Sequence, residues 1–166
     1  MTDYAGLLRV LANNKIEFIV VGGVAAKAHG SARFTVDVDV VYRRTKDNIA
    51  RIVAAFADLH PYLRGAPPGL PFIWDAETIE HGLNFTLTSD LGPIDFLGEI
   101  AGGGTYEQLR PHIETKHAFG IEVPCLTLEK LIAVKRAAAR RKDLEAIAEL
   151  TALLEEREKQ GPATAS

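Results

Sequence analysis

The chain has 166 residues, 47% of them apolar and 25% charged, and a formal net charge of −3. That length and balance describe a globular protein with chain enough for one substantial core, and the acidic charge excludes a protein that coats nucleic acid through its overall charge. The longest apolar runs are too short to cross a bilayer and the N-terminus carries no signal-peptide pattern, so a cytoplasmic protein with no membrane partner is expected. A single cysteine, Cys125, permits neither an internal disulfide nor a cysteine-rich zinc site.

In chain order, Tyr4, Leu7, Leu8 and Leu11 share one face of an amphipathic first helix that stops near Asn13 and Asn14. Residues 17–21 read as a buried strand, and residues 24–29 as a short helix closed by Gly30. Residues 35–42 read as a second strand, and Thr45 as the N-cap of a helix burying Ile49, Ile52, Val53 and Phe56. Residues 61–71 are rich in Pro and Gly and read as a loop. Two strands, 84–88 and 93–97, are joined by the tight turn Ser89-Asp90-Leu91-Gly92, and Gly102-Gly103-Gly104 breaks the chain again. A further hairpin joins 113–118 to 121–126 across Phe119-Gly120. Thr127 opens a helical region, and Leu144, Ile147, Thr151 and Leu154 form a last apolar stripe. Helices before and after a set of short strands indicate an α+β fold, a mixed α/β sandwich. Residues 1–159 read as one domain and 160–166 as a flexible tail.

The chemistry concentrates between residues 18 and 42. Asp37 and Asp39 lie two apart on a strand, so both carboxylates face the same side, separated by a rise of about 6.6 Å. Valines at 36, 38, 40 and 41 surround them. Carboxylates in apolar surroundings need a cation or a basic partner, and a divalent metal is the economical one. Gly22-Gly23 lies where strand becomes helix, a place where backbone N–H groups can take a phosphate, although most such turns are merely tight. Neither the dinucleotide nor the P-loop glycine spacing is present. Asp95, in Gly-Pro-Ile-Asp-Phe-Leu, is the choice for a third carboxylate; a turn or edge acid is the competing reading. A phosphate cradle beside paired carboxylates points to a metal-bound triphosphate.

The run Arg33-Phe34-Thr35-Val36-Asp37-Val38-Asp39, after an apolar strand and Gly-Gly, resembles the DNA-polymerase-beta nucleotidyltransferase superfamily. It matches the Arg-x-Thr-x-Asp-x-Asp form of its small bacterial members, among them the AbiE-type toxins and minimal nucleotidyltransferases. Leu131-Ile132-Ala133-Val134-Lys135 and Arg141-Lys142-Asp143-Leu144 extend the likeness, which spans about residues 16–150. The resemblance implies a nucleotidyltransferase fold, with a small mixed sheet flanked by helices and a C-terminal helical segment. It implies that Asp37, Asp39 and Asp95 are catalytic and hold two Mg²⁺ or Mn²⁺ ions, with Gly22, Gly23, Arg33, Thr35 and Lys135 binding the nucleotide. Arg33 can instead be structural, and Thr35 can orient Asp37 from the same face.

Two departures stand out. Many relatives carry Ser where this chain has Gly23, and related toxins continue Asp-Leu-x-Asp where this chain has Ala146. Lys135 shares a helix face with Leu128, Leu131 and Ala138, so it either snorkels to an edge or enters a cleft. Six Lys/Arg and no acid lie between residues 130 and 142, a positive strip that is either solvated or meets nucleotide or RNA phosphates. Asp143 reads as an ion-pair residue and His29 as a helix-terminal one; Phe72 and Trp74 either stack a base or anchor a loop.

The expectation is a metal-dependent enzyme moving an NMP from an NTP such as ATP to an acceptor hydroxyl. RNA (tRNA included), protein and small molecules all remain open as acceptor. The resemblance also implies a toxin–antitoxin role with an antitoxin partner. A non-catalytic nucleotide- or partner-binding module and a metal-dependent phosphohydrolase are the alternatives.

Overall fold

The structure is a computed structural model that describes residues 2–138 and 144–161. Arg140, Arg141 and Lys142 of the positive strip, the expected ion-pair residue Asp143, and residues 162–166 of the expected tail lie outside the described residues.

The first helix, α1 (Tyr4–Asn13), begins where the Asp3 carboxylate accepts the Gly6 N–H, and it buries Leu7, Leu8 and Leu11. Strand β1 (Phe18–Val21) is buried at every position, as a four-residue apolar run in the middle of a sheet must be. It runs directly into α2 (Gly22–Ala28). Strand β2 (Val38–Tyr42) follows, then α3 (Lys46–Phe56), capped by the Thr45 side chain. Asn48 on α3 is fully buried; its amide accepts from Glu17 N–H and donates to the Glu17 and Arg43 carbonyls, which fastens α3 to the ends of β1 and β2.

The remaining elements are β3 (Tyr62–Leu63), α4 (Ala76–His81), β4 (Asn84–Thr88), β5 (Ile94–Leu97), β6 (Glu99–Ile100), β7 (Gly104–Thr105), α5 (Tyr106–Leu109), β8 (Ile113–Ala118), β9 (Ile121–Leu126), α6 (Leu128–Ala138) and α7 (Leu144–Lys159). Among the described residues, seven strands form one mixed sheet in the order β3-β4-β5-β2-β1-β9-β8. The β2–β5 and β1–β9 pairs are parallel and the other neighbours antiparallel. The fold is therefore the expected mixed α/β arrangement, a mixed sheet flanked by helices.

Four sequence expectations change. The acidic strand begins at Val38, because residues 31–37 spend their polar groups elsewhere. Tyr4 Oη donates to the Thr35 carbonyl, Thr2 Oγ1 donates to the Val36 carbonyl, and Glu149 accepts from Ser31 Oγ and the Ala32 N–H. Val36 consequently lies exposed instead of lining the acids. The Pro/Gly-rich stretch contains β3, paired with β4, so it is not all loop. The run at 102–104 is more than a break: Gly102 and Gly103 lie in the turn of a two-stranded hairpin, β6–β7, and Gly104 opens β7. On α7 the buried line passes through Ala146 and Leu150, leaving Leu144 exposed and Ile147, Thr151 and Leu154 half-buried, because the helix packs on α6 and presents Glu149 to the loop at residue 31.

Candidate active site

The β2–β5 register sets Asp39 directly opposite Asp95, and Asp37 stands two residues ahead of Asp39 where the chain enters β2. On β5, Ile94 and Phe96 are buried, so the alternation sends Asp95 to the other face of the sheet. One carboxylate oxygen from each of Asp37, Asp39 and Asp95 lies within 4.8 Å of the others. The structure thus brings the three acids together, two from positions two apart in sequence and one from 56 residues further on, the difference between 39 and 95.

Three carboxylates this close repel unless something neutralises them. The chain supplies a cation that the sequence reading missed. Arg64 Nη2 lies 2.7 Å from Asp95 Oδ1 and 3.5 Å from Asp37 Oδ2. Its Nη1 donates to the Leu87 carbonyl and its backbone N–H to the Thr86 carbonyl, so β4 holds it from behind. The one signal for it was Tyr62-Leu63-Arg64, two strand-forming residues and a cation, inside a stretch dominated by Pro and Gly.

Asp39 is the innermost acid. Burial, then the neighbouring Asp95 and Asp37 carboxylates, push its carboxyl up to about 7, with Arg64 pulling the other way. Its Oδ1 is buried and has no hydrogen-bond partner. An orphaned carboxylate oxygen among three clustered acids, with oxygen as the donor in every case, fits a hard divalent cation such as Mg²⁺ or Mn²⁺.

The glycines are fitted to this cluster. Gly22 has φ +65°, and a Cβ there would collide with Asp39 Oδ2. A Cβ on Gly23 would collide with Thr35 Oγ1, so the threonine hydroxyl fills the space that a side chain at 23 would take. Thr35 Oγ1 is placed to donate to the Asp37 main-chain carbonyl at 3.4 Å, so its contact is with the loop backbone and not, as expected, from a shared strand face.

Two cavities flank the Gly-Gly turn, and Lys135 lines both. One, about 260 Å³, is bounded by Gly23, Arg33, Phe34, Thr35, Ala146 and Glu149. The other, about 230 Å³, has Gly22 and Asp39 at one end and Leu97, Ile100, Leu131 and Val134 along its walls. Half-buried Lys135 therefore points into a cleft, flanked on α6 by buried Leu131 and Ile132. Arg33 is held apart from the acids: its guanidinium pairs with Glu145 at 3.5 Å on the exposed surface.

Several other residues prove structural. His29 caps α2, its ring bonded to the Leu126 carbonyl through Nε2 and facing Arg157 Nη2 through Nδ1. Trp74 donates to the Val53 carbonyl, and its ring lies among those of Phe72 and Phe96, so it anchors its loop to the core. Glu99 and Glu129 lie on the surface.

No helix of the described residues is long and apolar enough to cross a membrane. None of the curated proteins compared with the chain matches it. Among solved structures the fold resembles the 1.87 Å crystal structure of a candidate nucleotidyltransferase from Thermotoga maritima. That likeness has a TM-score of 0.52 and 18% identity, and covers 95% of this chain and 97% of the other. Residues 7–146 match the family described as "Nucleotidyl transferase AbiEii toxin, Type IV TA system". With most of its length matched, the chain belongs to the AbiEii family of nucleotidyltransferase toxins.

Proposed function

We propose that the protein transfers a nucleoside monophosphate from an NTP to an acceptor hydroxyl, releasing pyrophosphate, as the toxin of a pair whose antitoxin restrains it. The observation that carries this reading is the convergence of Asp37, Asp39 and Asp95 within 4.8 Å beside the Gly22-Gly23 turn. Asp37, Asp39 and Asp95 would hold the divalent ion, Mg²⁺ or Mn²⁺, which when bound lowers the pKa of the attacking hydroxyl and neutralises charge on the leaving pyrophosphate. The Gly22 and Gly23 N–H groups would offer donors to the phosphates, and the Thr35 hydroxyl would join them by turning from the Asp37 carbonyl. Lys135 adds a positive charge from the cleft wall, and Arg33 adds one at the rim of the larger cavity. The smaller cavity beside Asp39 has largely apolar walls, Leu97, Ile100, Leu131 and Val134, which lower the local dielectric and strengthen charge interactions there. The NTP binds by its triphosphate, and the acceptor is an RNA, a protein or a small molecule bearing a free hydroxyl.

The test incubates the protein with Mg²⁺ or Mn²⁺, each alpha-labelled NTP, and separate pools of RNA, protein and small molecules. Wild type is expected to label one pool, and Asp39→Asn and Asp95→Asn to fall to background. Binding of Mg-NTP with no label moved and no NTP consumed would leave a binding module, and consumption without labelling would indicate hydrolysis. The toxin role predicts an antitoxin encoded by an adjacent gene, whose co-expression is expected to relieve a growth arrest that wild type, but not Asp39→Asn, causes in a bacterial host.

A further inference from the structure

We infer that Arg64 is a resident cation that competes with the divalent ion for Asp95 and Asp37, so that metal loading requires its guanidinium to leave them. The inference rests on the function reading above and adds a residue to its site.

Arg64 Nη2 engages Asp95 Oδ1 at 2.7 Å and reaches Asp37 Oδ2 at 3.5 Å, so one guanidinium holds two of the three acids. A shared divalent ion would draw on the same two carboxylates. The guanidinium is planar, always charged and weakly hydrated, which suits it to stand in for a metal among carboxylates. A divalent ion arriving while Arg64 stays would find Asp95 already occupied and a positive charge beside it. Asp39, whose Oδ1 has no partner, is the acid that Arg64 leaves unsatisfied. Arg64 thus contacts two of the three acids directly.

Leaving is a side-chain movement. Arg64 follows the last residue of β3, and its backbone N–H stays bonded to the Thr86 carbonyl whatever its guanidinium does. Its side chain is 26% exposed, so rotation towards solvent is open to it. The Gly-Ala-Pro-Pro-Gly run at residues 65–69 adds no helix or strand that would block that rotation.

A purely structural Arg64 and a competing one predict opposite signs. If Arg64 only held Asp37 and Asp95 in place, removing it would let the acids repel and would weaken metal binding. If it competes, removing it frees both carboxylates and binding tightens. Mn²⁺ affinity of the nucleotide-free protein, read from the electron paramagnetic resonance signal of free Mn²⁺, separates the two. Arg64→Gln is expected to bind Mn²⁺ about tenfold more tightly than wild type. Arg64→Lys, which keeps the charge and loses the fork, is expected to fall between them. Equal or weaker binding by Arg64→Gln, with wild type still binding, overturns the competition and leaves the metal-dependent reading intact. Failure of both proteins to bind Mn²⁺ overturns both. Should Arg64→Gln not fold, Arg64→Lys decides alone: tighter binding than wild type supports the competition, and equal or weaker binding overturns it.

Discussion

At the scale of single residues, the site depends on positions where only one side chain, or none, fits. Gly22 is the sharpest case, since it combines a left-handed φ of +65° with a Cβ position already filled by Asp39 Oδ2. Gly22→Ala is expected to cost about 1–2 kcal/mol from the backbone alone. It is also expected to push Asp39 out of register with Asp95. Circular dichroism should therefore show a folded protein of lower Tm, while nucleotidyl transfer drops to background. A variant with wild-type transfer would mean that Asp39 tolerates the shift, and that the glycine serves only the turn. Gly23 is the second case, since the Thr35 hydroxyl stands in the space a side chain there would take. The Gly-Gly turn and the Arg-x-Thr-x-Asp-x-Asp run are therefore one packed unit, which is why they were legible together. Arg64 was not legible, because no periodicity or motif ties an arginine after Tyr62-Leu63 to acids 27 residues behind it (64 against 37) and 31 ahead (95 against 64).

Elements join through polar contacts that the pattern of apolar residues does not reveal. His29 ends α2 and reaches both β9, at the Leu126 carbonyl, and α7, at Arg157. Burial lowers its pKa below the ordinary histidine value, with Lys116 and Arg157 adding to that and the Leu126 carbonyl and Glu114 opposing it. As pH falls, the unfolded chain takes up this proton first, so the stability His29 contributes is full above about pH 6.5 and is lost as pH falls below it. Protonation also costs the ring Nδ1 its ability to accept from Arg157. The fall in Tm between about pH 7.5 and about pH 5 is expected to be smaller in His29→Gln than in wild type. Equal falls in the two proteins would assign the acid sensitivity to other groups. Element boundaries followed local chemistry closely where that chemistry is strong. Asp3 and Thr45 cap α1 and α3 as side-chain oxygens at an N-cap do. The hairpin β8–β9 turns through Phe119 and Gly120, both with positive φ, as a two-residue turn of this hand requires.

Across the whole molecule, the loop that carries Asp37 is secured by the last helix. Glu149 on α7 accepts from Ser31 Oγ at 2.6 Å and from the Ala32 N–H at 3.2 Å, and Ser31 Oγ in turn accepts from the Arg33 N–H. Tyr4 and Thr2 at the opposite end of the chain hold Thr35 and Val36 by their carbonyls. Both ends of the chain therefore converge on one seven-residue loop, residues 31–37, whose last member is a candidate metal ligand. Glu149→Ala, far in sequence from the acids, is expected to raise proteolytic cleavage within residues 31–37. It should also raise KM for NTP severalfold with a smaller change in kcat, since the acids themselves remain. An unchanged KM and cleavage pattern would show that Tyr4 and Thr2 suffice to hold the loop.

The sequence by itself determined the fold class, the first and third helices, the hairpin at residues 113–126, and the pairing of Asp37 with Asp39 two positions apart. Each rests on local rules: a repeat of apolar positions, a capping side chain, a turn, or a two-residue alternation. Tertiary structure alone decided that Asp95 faces Asp39, because strand order and register are set by packing between segments distant in sequence. It alone placed Arg64 on the acids, and it turned the α7 stripe so that Ala146 and Leu150 face inward. It alone started β2 at Val38, by bonding residues 31–36 to side chains from both ends of the chain. Local propensity cannot encode these outcomes, since every one depends on a partner whose position exists only once the chain has folded.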